Sequence, residues 1–429
     1  MVHNVFYIYC TNGFINKLFD KDDEMSVGDK QGRNLDIQIL RAYAVGLVLL
    51  QHLSATPTVA MTIMPNFTLP FYLGVELFFV ISGYVVTGSL FHNQADGRQS
   101  TTTGFLVRRA FRLYPAMLGF FAFSYFAYQV TRTQVQPGTA MDEMFFFDPG
   151  FFLQQMRFIM TGVFINKTLD HSFYSNGAMW SLSVEFQFYF AFAIVWLICS
   201  IRWLQPHRKL VIFVVSLALL SICVKTRLQL AFSGVAPTQN WLIYLLNYKF
   251  DFMMSGVAMA CIKNSRRYRE KKASSEKSLS TPFFAGLVIV IPLWLTSHAT
   301  SPLQGMTGYP VREGLMMTIC LCCFSALIWW AADGGIFSFR QGRIYKTLAW
   351  LGDISYGMYL FHIPVMMLVW AGWTYWAPSF VYSPIHYGIF QFLAVVALTI
   401  MISAASYIIV EKKANAFGRK LSNMIERRG

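Results

Sequence analysis

Seven ionisable residues stand within otherwise apolar runs: Arg41, His52, Glu76, Glu185, Lys249, Asp251 and His362. Each costs a few kcal/mol inside a bilayer and is a functional candidate on that ground. In "RAYAVGLVLLQHL", Arg41 and His52 are eleven positions apart, about three helical turns, so they share a face roughly 16 Å apart. A guanidinium at one end of that face can hold an anion. A neutral imidazole at the other can act as a base. The plainer alternative is that Arg41 snorkels to headgroups and His52 only packs. His362, in "LGDISYGMYLFHIP", is a second candidate base, with the same alternative of a satisfied packing histidine.

The other candidates surround these. Glu185, in "MWSLSVEFQFYF", can orient a histidine or hold a sugar hydroxyl, and Trp180 beside it suits an interface. Glu76 requires a partner. Lys249 and Asp251 lie two apart, do not face each other on a helix, and each is expected to pair with another span. Arg108, Arg109 and Arg112 in "RRAFRLYP" place guanidinium forks where phosphate oxygens fit them; ordinary positive-inside anchoring explains the same cluster. Pro115 is expected in the first turn of a span. Ser82, Gly83 and Tyr84 in "FFVISGY" form either a small-residue packing notch or a gap that admits a substrate chain.

These residues need helices to position them. The 429 residues are 55% hydrophobic and 13% charged, with a mean hydropathy of +0.45. A soluble domain averages about 25% charged, so the expected class is an all-α, polytopic membrane protein. About twenty apolar residues cross a bilayer, and ten such runs are legible: 37–58, 69–91, 113–131, 181–201, 209–226, 240–262, 282–299, 313–332, 353–373 and 385–410. Residues 1–36 read as a polar cytoplasmic segment, 37–410 as the membrane domain, and 411–429 as a basic cytoplasmic tail that continues as an amphipathic helix. The outer loop 132–180 contains an interfacial or re-entrant piece at 145–165.

With both termini in the cytoplasm, every Lys and Arg falls on the inner side except Arg132, Arg157, Lys167, Lys225, Arg227, Arg312 and the intramembrane Lys249. The positive-inside rule therefore accounts for the net charge of +14, and no nucleic-acid partner is expected. Six of the seven cysteines lie in or beside apolar runs and read as free thiols. No metal is expected.

Together the segments resemble the acyltransferase-3 family of integral membrane acyltransferases. The resemblance rests on Arg41 and His52 at the R-x10-H spacing, then "FFVISGY", "RRAFRLYP", "WSLSVEFQFY", "FDFMMSG" and "LGDISYGMYLFH", in order over most of the membrane part. It implies transfer of an acyl group, usually acetyl, from cytoplasmic acetyl-CoA to a hydroxyl of an extracytoplasmic or lipid-linked glycan, such as O-antigen or exopolysaccharide. Catalysis would fall to His52, Glu185 and His362, and acyl-CoA binding to Arg41, Ser82, Gly83, Tyr84, Arg108, Arg109 and Arg112. The acceptor would meet Glu76, Trp180, Lys249 and Asp251. The implied setting is a bacterial inner membrane, with lipids around the protein and without the C-terminal SGNH domain many relatives append. The competing class is an ion-coupled transporter or glycolipid flippase. A carrier would be expected to show inverted repeats, which the sequence lacks.

Overall fold

The computed structural model describes residues 34–54, 73–95, 100–131, 179–233, 250–265, 268, 309–334, 336–337, 342–376 and 384–428. Two compact units, Met1–Leu35 and Asp36–Gly429, divide the chain. The first lies almost wholly outside the described residues, and the fold below is that of the second. All its described elements are helical: α1 (Leu35–Ser54), α2 (Leu73–Ala95), α3 (Thr102–Thr131), α4 (Met179–Ile198), α5 (Arg208–Ser233), α6 (Phe250–Lys263), α7 (Tyr309–Asp333), α8 (Arg343–Asp353), α9 (Ser355–Trp376), α10 (Pro384–Ser406) and α11 (Lys412–Arg428). A π-helical turn, Tyr407–Glu411, joins the last two. In hydrocarbon a helix satisfies all its backbone polar groups within one segment, which suits runs this apolar. Among the described residues four helices are long and apolar enough to cross a membrane, or five if the bent pair α8–α9 counts as one. The expected runs at 145–165 and 282–299 lie outside the described residues.

α6 is the axis of the bundle. Every residue in it is buried except Ile262, and it packs against α2 and α5. Two glycines bring α6 and α2 together. A Cβ on Gly83 would collide with the Met253 carbonyl, and one on Gly256 with the Val80 carbonyl and Tyr84 backbone nitrogen. The obstruction is backbone and cannot rotate away. Gly83→Val should therefore cost about 1–3 kcal/mol as overpacking, whereas Gly88→Ala, with open space at its Cβ, should be silent. Thermal unfolding in detergent checks this; equal midpoints for the two variants would exclude the tight contact.

α3 is 30 residues long, about 45 Å at 1.5 Å per residue, and exceeds a bilayer core of about 30 Å. Its first three turns run beside α11. Gly104 faces Ser422 and Glu426, Gly418 faces Phe111, and the Phe111 and Phe417 rings lie 5.2 Å apart. Pro115, expected in a first turn, stands in mid-helix, because these contacts extend α3 upstream beyond the apolar run. The sharpest bend, 70°, falls between α8 and α9 rather than at Pro364, through which α9 stays helical.

At the far end of α6, Lys263 Nζ contacts Asp333 Oδ2 at 2.5 Å and Tyr268 Oη at 2.6 Å, and lies 4.0 Å from the Trp329 ring centroid. Burial, reinforced by the Asp333 carboxylate, holds the Tyr268 hydroxyl well above its ordinary range. It therefore stays protonated and donates to Asp333 at 2.6 Å.

Candidate active site

α1, α2, α3, α4 and α9 line a partly open cavity of about 80 Å³. At one end its wall carries Arg41, Arg109 and Arg112. Ser82, Glu185 and Tyr189 stand along it, and Ser181 and Tyr359 complete the lining on the α4 and α9 sides. Arg41 Nη1 donates to Gln38 Oε1 at 3.4 Å. Arg112 is half-buried. Among the described residues no carboxylate stands within ion-pair distance of either Arg41 or Arg112. Two guanidiniums on one cavity wall, neither ion-paired among the described residues, can receive an anion. Arg109 is more occupied: it donates to Ser89 Oγ at 3.3 Å and lies 5.6 Å from both the Phe105 and Tyr189 ring centroids.

Arg108, one turn before Arg112, does not line the cavity. It bonds Glu426 at 2.7 Å and Ser422, both on α11. Of the three arginines expected together, Arg109 and Arg112 line the cavity with Arg41 of α1, and Arg108 is turned to α11 instead. Two neighbouring surfaces compete for one side of α3, and α11 takes the Arg108 edge.

Glu185 accepts hydrogen bonds from Ser82 Oγ, at 2.7 Å, and from Tyr189 Oη. It makes no hydrogen bond to His52 among the described residues, so the expected Glu185–His52 pairing is replaced by another. His362 Nε2 stands 3.2 Å from His52 Nδ1, with ring centroids 4.8 Å apart. The carbonyls fix the tautomers. His52 Nδ1 lies 2.9 Å from Val48 O, and His362 Nδ1 lies 2.8 Å from Tyr359 O. A carbonyl can only accept, so each neutral ring carries its proton on Nδ1. The His362 Nε2 lone pair then faces the His52 Nδ1 hydrogen, which it shares with Val48 O. The basic nitrogen left over is His52 Nε2. Among described residues it has no hydrogen-bond partner, whereas His362 has both nitrogens engaged. The pair repeats the logic of a base steadied by a second group, with His362 in the steadying place.

Tyr359 connects the two clusters. Its ring lines the cavity, its hydroxyl pairs with Ser181 Oγ at 2.6 Å, and its carbonyl holds His362. Tyr356, one turn back, donates to Leu113 O at 2.9 Å and lines the same wall. Sequence reasoning passes over both tyrosines, although Tyr356, Tyr359 and His362 recur at steps of three. It passes over Tyr189 too, which stands four positions after Glu185, one helical turn away.

The remaining expectations are placed as follows. Gly83 and Tyr84 are both absent from the cavity lining, and Gly83 is closed off by the Met253 carbonyl of α6, so the glycine is a packing contact. Glu76 is buried near the start of α2 and is absent from the cavity lining. Asp251 pairs with Arg227 of α5, both side chains fully buried, away from the cavity. Trp180 lies in the first turn of α4. Lys249 lies outside the described residues. Among those residues, no group of three or more His, Cys, Asp or Glu is placed to hold a metal ion.

The acyltransferase-3 family model, described as an acyltransferase domain, matches residues 34–410. The chain is 25% identical over 341 residues to the putative peptidoglycan O-acetyltransferase YrhL of Bacillus subtilis, covering 77% of this chain and 48% of that one. It is 27% identical over 310 residues to the peptidoglycan O-acetyltransferase OatA of Listeria monocytogenes, covering 69% and 45%. It is 23% identical over 347 residues to the O-acetyltransferase OatA of Staphylococcus aureus, covering 77% and 50%. The chain spans about half the length of the curated relatives it matches. No solved structure matches it.

Proposed function

The chain belongs to the acyltransferase-3 family, and from that premise we propose that it is a membrane-embedded O-acetyltransferase. It moves an acetyl group from cytoplasmic acetyl-CoA to a hydroxyl of an extracytoplasmic or lipid-linked glycan. The observation that carries this reading is a cavity wall holding Arg41 and Arg112, neither ion-paired among the described residues, beside Tyr359, whose carbonyl holds His362 against His52, both histidines lying outside the cavity lining. The curated relatives are named for O-acetyl transfer, two of them onto peptidoglycan, and a glycan hydroxyl is the acceptor class we take for this chain. In the topology expected from the sequence, ten spans with both termini in the cytoplasm, the arginine end lies on the side where acyl-CoA is found.

In this reading the phosphates of coenzyme A meet Arg41 and Arg112, and Arg109 stiffens the wall beside them. The pantetheine arm passes on the Ser82 side of α2, since the Gly83 side is closed. The acceptor hydroxyl gives its proton to His52 Nε2 as its oxygen attacks the thioester carbonyl. The carbon–sulfur bond breaks, and the proton on His52 passes to sulfur, releasing coenzyme A and the acetyl ester. Positive charge that forms on the His52 ring is met by the His362 Nε2 lone pair. Ser82, Glu185 and Tyr189 form the polar rail between the two ends.

Two neighbouring arginines are separable by experiment. Arg112→Ala should raise KM for acetyl-CoA about 10–100-fold, the worth of one charge-assisted hydrogen bond, with the fold intact. Arg108→Ala should leave KM alone and lower thermal stability by loosening α11. Steady-state kinetics and unfolding of the purified variants read both. Equal KM shifts for the two would place Arg108 at the anion after all, and no shift for Arg112 would remove it from the acyl-CoA site. Release of free coenzyme A thiol on addition of acceptor is the accompanying test of class, since a pure carrier releases none.

A further inference from the structure

Glu411 is one of the buried carboxylates the mechanism does not use. Glu411 closes the π-helical turn between α10 and α11 and is 4% exposed. Single π turns inside helices frequently mark functional positions. This one packs against α3, the helix that bears Arg109 and Arg112. Ser406 Oγ donates to Glu411 Oε1 at 3.3 Å. On the α9 side the carboxylate rests on Gly357, where an added Cβ would stand 3.2 Å from Oε1. The preceding residue, Tyr356, lines the cavity together with Arg41 and Arg112. Glu411 thus stands directly behind the wall at the arginine end. Arg41 and Arg112 both bear on the Glu411 carboxyl, which burial raises to about 7, and Glu185, held by Ser82 and Tyr189, bears on Arg41 as well.

Resting on the acetyl-CoA reading above, we infer that Glu411 is a positioning residue that tunes the grip on coenzyme A. Two guanidiniums on one wall of a low-dielectric cavity hold phosphate strongly enough to slow product release. A carboxylate behind the wall, out of reach of the ligand, reduces their pull without occupying the site. It also opposes the repulsion between Arg41 and Arg112 when no anion is bound. The residue sets the balance between capture of acetyl-CoA and escape of coenzyme A.

The test uses the full chain in lipid nanodiscs, coenzyme A as the binding probe, and turnover of acetyl-CoA with a glycan acceptor. Glu411→Gln removes the charge and keeps the shape. It should bind coenzyme A about tenfold more tightly, as expected for one charge acting across a partly shielded interior, and both KM for acetyl-CoA and kcat should fall. Glu411→Asp keeps the charge and should stay near the parent protein. In an Arg112→Gln background the effect of Glu411→Gln should shrink, which a merely structural role would not produce. A folded Glu411→Gln protein with unchanged or weaker coenzyme A binding overturns the inference, as does equal tightening with and without Arg112. If Glu411→Gln does not accumulate, Ser406→Ala frees the carboxylate to turn toward the arginines and should weaken coenzyme A binding; unchanged binding there is equally decisive against it. A parent protein that binds no coenzyme A at all removes the acetyl-CoA reading and this inference together, an outcome distinct from normal binding that Glu411 does not affect.

Discussion

His52→Ala should lower kcat for acetyl transfer by about 10²–10⁴-fold, the usual contribution of a positioned general base, with KM for acetyl-CoA little changed. The expectation follows from the tautomers. Val48 O and Tyr359 O hold protons on both Nδ1 atoms, and His362 Nε2 is turned into the His52 ring. One lone pair remains for an incoming hydroxyl, and it belongs to His52. His362→Ala removes the group that steadies the His52 ring and receives its charge, so its loss should be smaller and should fall on kcat rather than KM. Purified variants assayed with labelled acetyl-CoA and a glycan acceptor would decide. Full turnover by folded His52→Ala would end the general-base assignment. A larger loss from His362→Ala than from His52→Ala would transfer that assignment to His362. An acetyl group trapped on His52 in the absence of acceptor would make the ring an acyl carrier, with the same geometry serving a two-step transfer.

Asp251→Ala should be among the most destabilising single changes in the bundle, at about 3–5 kcal/mol. Asp251 and Arg227 are both fully buried and joined by an ion pair between α5 and α6. Arg227 also lies over the Phe252 ring at 5.6 Å, so its guanidinium is enclosed and cannot reach water once the carboxylate is gone. The cost comes mainly from a buried guanidinium losing its carboxylate rather than from the attraction itself. Replacing both partners with apolar residues of similar volume, Arg227→Met with Asp251→Leu, should therefore recover most of the loss. Unfolding in detergent measures each arm. A folded Asp251→Ala protein of normal stability and raised KM for the glycan would return Asp251 to the acceptor site, the role that a carboxylate in an apolar run suggests.

The two predictions differ in how far the sequence reaches. The spacing of Arg41 and His52 lies within one helix, and a helix has a fixed period, so their shared face is legible in the residue spacing alone. The same holds for the class of fold: hydrocarbon admits few backbone arrangements, and long apolar runs announce themselves. Lys and Arg flank those runs in a pattern with a physical cause, and the acyltransferase-3 resemblance follows from motifs in order. Asp251 is legible as a residue needing a partner in another span, but nothing in its surroundings points to Arg227. Lys249, beside it in sequence, gives no help.

What the sequence determined by itself, then, was the helical membrane class, the short list of costly polar residues, and the geometry within single helices. Tertiary structure alone decided the partners. It joined His52 to His362 across 310 positions and Ser82 to Glu185 across 103, closed the Gly83 face with the backbone of α6, and placed Glu411 behind the arginine wall. It also parted Arg108 from Arg112, which local periodicity puts on one face, by laying α11 against the first turns of α3. The reason is one of range. Helical period and bilayer solvation act over a turn or a span and leave a mark in the pattern of residues. The pairing of helices is selected by complementary surfaces between distant segments, where a glycine, a serine or a single carboxylate acquires its role only from what is packed against it.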